Sequence, residues 1–368
     1  MKRMICLLLA AVLSLGLFAC SSGGSEPTPT PTLTPTPAPS ETASPEPSIQ
    51  PTEDPDPEPV CLNPLTGLPM DEALEGQRPA AVMLNNIKAA MPQQGNSRAD
   101  IIYEVLAEGG ITRMLGIYQD LSDVQALGSV RSARLYYLEL ALGHDAAFVH
   151  AGGSPEFYEC RDRWGLTTAD GVKGGFSGSG LFWRDRERIA GHYYAYEHSL
   201  LTSGALIEEK LGKAGLLGAH KEGYAYEMSF ADDGTPAGGQ SAGVVTVPFS
   251  GSKSTVFRYD ASAGLYRAEQ YGEAMIDGND GSQISVTNVL VLRTQCTVVD
   301  SAGRLTVDLS GGEGWYLCGG KLIPITWEKG NREEQLRYYA ADGQALTLGR
   351  GKSYVCIIPL SREITVEE

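Results

Sequence analysis

The sequence predicts a mixed α/β protein in two parts: a layered α+β domain over 61–223 and a mostly antiparallel β domain over 240–362. Between 61 and 223, short apolar runs alternate with stretches of helical periodicity. Beyond residue 224, short alternating runs are separated by turns such as Asp277-Gly278, Asp280-Gly281 and Asp342-Gly343, with no helical pattern among them. The length of 368 residues supports the division, since about 150 residues make an ordinary domain. Residues 1–60 belong to neither part.

Lys2 and Arg3 open the chain, and Met4 to Ala19 is a nearly unbroken apolar run of sixteen residues. A membrane span needs about 20, so the run reads as the core of a secretory signal over 1–20. It ends in Leu17-Phe18-Ala19-Cys20, which resembles the lipobox of bacterial lipoproteins; an ordinary signal peptide cut elsewhere is the alternative. In that class Cys20 is the lipidation site, and two acyl chains hold a protein stably where one is marginal. The predicted location is the cell membrane, lipid-anchored, on the extracytoplasmic face. Twelve of the 21 prolines then fall in 21–60, with seven acids and no base. Such a segment buries no core and favours polyproline II, so 21–60 is predicted to be a disordered stalk reaching up to about 120 Å.

The chain carries 29 Lys+Arg against 45 Asp+Glu, a charge of −16. Without the stalk's acids and the signal's two bases, 38 acids still face 27 bases. That balance argues against a nucleic-acid partner. Five cysteines remain beyond Cys6 and Cys20, namely Cys61, Cys160, Cys296, Cys318 and Cys356. Their spacing fits no metal site, and the odd number leaves disulfide pairing open.

Within 61–223, Ala80 to Leu84 reads as a buried strand and Ile111 to Tyr118 as another. Ser97-Arg98-Ala99-Asp100 resembles a capping box opening a helix through Ile101, Ile102, Val105 and Leu106. A buried helix is expected over Ser132 to Leu142, a strand over Ala146 to His150, and a helix started by Ser154-Pro155-Glu156. Thr202 to Leu217 is the last expected helix of this half. Asp232 to Gly239 is the best linker, and strands are expected at Val244–Phe249, Ser254–Tyr259, Val286–Leu292, Leu305–Leu309, Leu322–Trp327, Leu336–Tyr339 and Tyr354–Ile358. One extended sheet could serve both halves.

Several motifs fail on spacing. Gly351-Lys352-Ser353 lacks the P-loop glycine, since position 346 is Leu. Gly175 to Gly180 fits neither a dinucleotide loop nor a nucleophile elbow, and the Ser250-to-Lys253 match to SxxK lies among β-formers without a partner motif. No metal or other cofactor is called for. What survives is a polar cluster at element ends. Arg131 and Arg134 open the expected buried helix three apart, which puts them on one face. His150, Gly152, Gly153 and Ser154 lead from a strand into a helix N-terminus, whose free N–H groups suit an anion. Arg113 is a third cation, and Glu104 with Asp100 would be the partners if the arginines only brace the fold.

The strings Asn63-Pro64-Leu65-Thr66-Gly67, Ala99-Asp100-Ile101-Ile102-Tyr103-Glu104, Glu108-Gly109-Gly110-Ile111-Thr112-Arg113, Val130-Arg131-Ser132-Ala133-Arg134 and Val149-His150-Ala151-Gly152-Gly153-Ser154 resemble the YerB family of bacterial lipoproteins. Asn288-Val289-Leu290-Val291 and Trp327-Glu328-Lys329 resemble its C-terminal domain. The family's Pro-His-Asn is Glu197-His198-Ser199 here, so a contact made by the amide would be lost. The resemblance implies an extracytoplasmic lipoprotein with a layered N-terminal domain, and no reaction.

Two functions fit. One is a tethered envelope protein binding an anionic wall component or a wall-synthesis protein through Arg113, Arg131, Arg134 and His150. The other is an envelope hydrolase or transferase, with His150 or His198 as acid/base and Glu104 or Glu108 beside it. Catalysis requires a histidine and a carboxylate within hydrogen-bond reach in one cleft.

Overall fold

In the computed structural model, which describes residues 61–190 and 196–368, an eleven-stranded mixed sheet runs through both halves of the chain. The expected signal, Cys20 and the expected stalk lie outside the described residues. In chain order the strands are β1 (Ala80–Asn85), β2 (Ile101–Leu106), β3 (Thr112–Tyr118), β4 (Ala147–His150), β5 (Ala169–Asp170), β6 (Gln240–Ser241), β7 (Asn288–Thr294), β8 (Gly311–Cys318), β9 (Lys321–Glu328), β10 (Arg337–Ala340) and β11 (Ser353–Pro359). In space they run β6-β9-β8-β7-β11-β2-β3-β1-β4-β5, with β10 paired to β9. The seam is the parallel pairing of β2 with β11, from Ile101 opposite Ser353 to Val105 opposite Ile357.

Side chains alternate across this sheet as strand geometry requires. Ala80, Val82 and Leu84 of β1 face one core, and Ala81 and Met83 face the other. Against the second core pack α1 (Leu135–Gly143) and α2 (Pro155–Arg163), through Tyr136, Tyr137, Leu140 and Phe157. The short α3 (Arg186–Ala190) follows, and α4 (Gly204–Lys213) brings Ile207 and Leu211 to the first core. That core is also covered by a second, six-stranded antiparallel sheet containing Val244–Pro248, Ser254–Asp260 and Leu265–Gln270. Its Val245, Val247, Phe257 and Tyr266 are fully buried. Coverage on both faces explains why β1, β2 and β3 are buried at every residue. The fold is therefore mixed α/β, with mostly antiparallel pairing in its later part.

Three local expectations are corrected. Ser97 to Asp100 opens no helix: one 3-10 turn at Asn96–Arg98 leads into β2. Asp100 instead accepts from the Gln119 backbone N–H at 2.7 Å, fastening β2 to the end of β3. The β-branched Ile101, Ile102 and Val105 fit a strand better than a helix, so Glu104 and Glu108 do not share a helix face. The buried helix starts at Leu135 rather than Ser132, and the last helix of this half is shorter at both ends than Thr202–Leu217, with Ser203 capping Leu206. The strands at Leu265–Gln270 and Gly311–Cys318 escaped the sequence reading. In the latter, Gly311, Gly312 and Gly314 dilute the apolar pattern, yet a Cβ on Gly314 would lie 2.2 Å from the Val291 carbonyl oxygen. Cys61, Cys160, Cys296, Cys318 and Cys356 are free thiols. No helix among the described residues is long and apolar enough to cross a membrane.

Candidate functional site

Beyond Val82, where β4 stops pairing with β1, the segment 129–131 takes over that edge. Asn85 N donates to Ser129 O and Arg131 N to Met83 O, both at 3.0 Å. The segment then runs beside the strand-to-helix loop after β4, with Ala151 N donating to Arg131 O at 3.0 Å and Ala133 N to Gly152 O at 2.9 Å. Arg131 and Arg134 thus precede α1 in extended chain, and the helix-face argument for them fails. They converge nonetheless, because Arg113 enters from β3, directly opposite Asn85.

The pairing is specific. Arg113 donates to Ser132 O at 2.8 Å and lies 3.4 Å from Glu108 Oε2, while Arg134 Nε bonds Glu108 Oε1. Arg131 donates to the main-chain oxygen of Glu197 at 3.0 Å, with the Glu197 carboxylate at 3.5 Å. Neither Glu104 nor Asp100, the expected braces, is involved. Burial pushes Arg113 down to about 10, the Arg134 and Arg131 charges push the same way, and Glu108 opposes them. Burial also lowers Arg131, against the pull of Glu197. Burial would raise the Glu108 carboxyl, but the Arg134 hydrogen bond and the Arg113 charge hold it below its ordinary value. Three guanidinium groups sharing two carboxylates leave this face cationic on an acidic protein.

His198 joins the face from the other side. Its Nδ1 lies 2.9 Å from Asn85 Nδ2, and that amide also reaches Ser129 Oγ at 3.3 Å. Ser129 N in turn donates to Gln93 Oε1 at 2.6 Å. Burial and the Arg131 charge lower the His198 pKa, with Glu197 opposing, which favours the neutral ring. Because the Asn85 amide donates to Nδ1, the proton sits on Nε2, which points to Glu197 Oε1 at 3.6 Å. Ser199 turns its hydroxyl back to Tyr196 O at 2.7 Å.

The loop after β4 is already filled. His150 is fully buried, with Nδ1 on Gly152 O at 2.8 Å and Nε2 on Thr168 Oγ1 at 2.9 Å. Burial lowers it to about 4, with Asp170 opposing. The Gly152 N–H, expected to await an anion, donates to Asp170 Oδ1 at 2.8 Å. Gly152 is left-handed at φ 78°, and a Cβ on Gly153 would lie 2.3 Å from the Phe157 ring, so both glycines are needed for this close turn. Ser154 caps α2 through Phe157 N at 3.2 Å. Asp170 is thus the loop's own anion.

Glu104 lies elsewhere, wholly buried at the seam of the two halves. Its Oε1 accepts from Asn86 Nδ2 at 2.7 Å and Thr112 Oγ1 at 2.6 Å. Its Oε2 accepts from Thr255 Oγ1 at 2.7 Å, Tyr354 OH at 2.7 Å and Gln270 Nε2 at 3.2 Å. The Lys253 ammonium stands 3.5 Å away and donates to Gln270 Oε1 at 2.7 Å. Burial lowers the Lys253 pKa against the pull of Glu104. So the lysine of the SxxK string is a counter-ion, while Ser250 Oγ donates to Gly110 O at 2.7 Å.

Histidine–carboxylate separations decide what the chemistry can be. His150 is 3.9 Å from Asp170, and His198 is 3.6 Å from Glu197. Only His220 makes a hydrogen bond among these pairs, to Asp145 at 3.1 Å. That pair belongs to a brace: Arg78 Nε donates to Asp145 O at 2.6 Å, Lys221 N to Asp145 Oδ2 at 3.0 Å, and Arg78 N to Gly218 O at 2.7 Å. Among the described residues no cluster of acids, histidines and cysteines has metal-ligating geometry. Asn85 and Glu197 were not foreseen as site members, and Glu108 was expected only as a carboxylate beside a catalytic histidine. An Asn-Asn doublet ending a buried strand was the one available signal.

One sheet thus joins an α/β half to a β half, with three arginines gathered where β1 ends. The chain belongs to the DUF3048 family of proteins of unknown function, whose N-terminal domain matches residues 65–216 and whose C-terminal domain matches 245–355. It is 31% identical over 306 residues to the protein named "Putative lipoprotein YerB" of Bacillus subtilis (strain 168), covering 80% of this chain and 86% of that one. The crystal structure of YerB from Bacillus subtilis superposes with a TM-score of 0.72 at 28% identity, over 84% of this chain and 100% of that one. The resemblance read from the motif strings is correct, and it brings no reaction with it.

Proposed function

We propose that this chain is a lipid-anchored protein of the extracytoplasmic membrane face that binds an anionic component of the cell envelope. The binding face is Arg131, Arg134 and Arg113, with His198 at its edge. The observation that carries the reading is the excess of guanidinium over carboxylate at that face, in a protein whose net charge is −16. Charge-assisted bonds from arginine forks are well suited to phosphate or carboxylate. The lipobox and the proline-rich stalk supply an anchor and reach, so an insoluble wall polymer or a membrane-bound synthesis partner is accessible. His150 and Glu104 are committed to internal bonds and take no part in this face. The hydrolase reading is favoured by no contact, because neither expected histidine meets a carboxylate within hydrogen-bond reach.

The test is co-sedimentation of the full chain with isolated cell envelopes stripped of protein. Arg131→Ala with Arg134→Ala is expected to reduce the bound fraction at least tenfold, and wild-type binding should weaken as salt rises. Undiminished binding by a folded double variant would remove the arginine face from the account.

A further inference from the structure

The carboxylate of Glu197 stands where a ligand's oxyanion would stand. Its side chain is 62% exposed, yet Oε2 is 3.5 Å from Arg131 NH1 and Oε1 is 3.6 Å from His198 Nε2. Each oxygen faces one donor, and neither closes to the 2.7–2.9 Å of a charge-assisted bond. The donors beneath it are fixed. Arg131 is held by the Glu197 main-chain oxygen at 3.0 Å, and His198 is held by Asn85 at 2.9 Å with its Nε2 on the Glu197 side. Arg131 Nε is buried and makes no hydrogen bond among the described residues. Arg184 adds a further charge nearby; it lowers the Arg131 pKa and stacks on Tyr196 at 4.0 Å.

We propose that Glu197 is a tethered competitor for this site, and that the ligand it gives way to is a phosphate ester. The Glu197 carboxylate is exposed and makes no close bond, so swinging it away costs little. A tetrahedral phosphate has more oxygens, set further apart, than a carboxylate. It can bond the Arg131 fork and His198 Nε2–H together, where the glutamate bonds neither well. Glu197 also keeps a bare cationic site from collecting small anions, so that only a ligand with several phosphates or a further contact binds firmly. This inference rests on the anion-binding reading above.

Calorimetric titration of the full chain with inorganic phosphate and with acetate, at low ionic strength, tests it. Glu197→Gln is expected to bind phosphate about three- to tenfold more tightly than wild type, with acetate weaker than phosphate in both proteins. Arg131→Lys, which keeps the charge but loses the fork, is expected to lose most of that gain. Equal phosphate affinity in wild type and Glu197→Gln, with Arg131→Lys weaker than both, would overturn the competitor while leaving the anion face standing. Phosphate binding unaffected by Arg131→Lys and by Arg131→Ala would overturn both. Acetate binding as tightly as phosphate would overturn the ligand class.

Discussion

Glu104→Ala lowers the unfolding free energy by about 3–5 kcal/mol, the range expected when one partner of a buried ion pair is removed and the other is stranded. The deletion leaves the Lys253 ammonium without its carboxylate, and leaves the Thr112, Thr255 and Tyr354 hydroxyls without their acceptor. Glu104→Gln is expected to fall in the same range. An amide offers two donors to a site furnished with donors, so its NH2 faces a hydroxyl or an ammonium. Lys253→Met in the Glu104→Gln background should recover part of the loss, because an apolar residue no longer needs the charge. The seam joins the halves, so urea unfolding of the wild type should be a single transition, and the Glu104 variants should shift its midpoint or split it in two. A midpoint for Glu104→Ala within error of wild type would show that the buried cluster holds nothing together.

Acidification is the second large effect. Burial lowers His144 from 6.5 to about 3, with the Lys329 and His220 charges adding, and lowers His150 from 6.5 to about 4. A depressed histidine pKa means the unfolded chain takes up a proton that the folded chain refuses. Their contribution is therefore complete above pH 6.5 and declines as pH falls toward 4 for His150 and 3 for His144. At pH 5 the two together remove about 4 kcal/mol, at roughly 1.4 kcal/mol for each unit below 6.5. Asp100 works the other way. Burial raises it to about 6, against the Gln119 hydrogen bond, so its contribution grows as pH falls from about 6 toward 3.8. It returns about 1.5 kcal/mol at pH 5, for a net loss of roughly 2–3 kcal/mol. Urea midpoints from pH 7 to pH 5 should show this decline, and His144→Gln with His150→Gln should flatten or reverse it. A wild-type midpoint that is level over that window would contradict the buried, neutral state of both histidines.

What the sequence disclosed and what it hid separate along one physical line. Local patterns were readable. Ala80–Leu84, Ile111–Tyr118 and the Ser154-Pro155 helix start depend on neighbours in the chain, and each lies close to where it was expected. β2 was misread because Ser97 to Asp100 imitates a helix cap, while the bond that decides its fate comes from Gln119 across the sheet. Glu104 was drawn into the candidate site because its partners Thr255, Gln270 and Tyr354 lie 151, 166 and 250 residues further along the chain. No spacing rule connects them. The arginines were chosen for a helix geometry they do not have, and they meet because the extended segment 129–134 lies along the end of β1. His150 was chosen for standing at a strand end, where Asp170 already fills the turn beside it.

The most direct test of the anion face is NMR of the full chain in detergent, following the Arg131 Nε and His198 ring signals as glycerol phosphate is added. The account predicts that both shift together and saturate, while the buried His150 ring does not move. Saturable shifts confined to other residues, or none at Arg131 and His198, would place the ligand elsewhere and leave these arginines as braces of the fold.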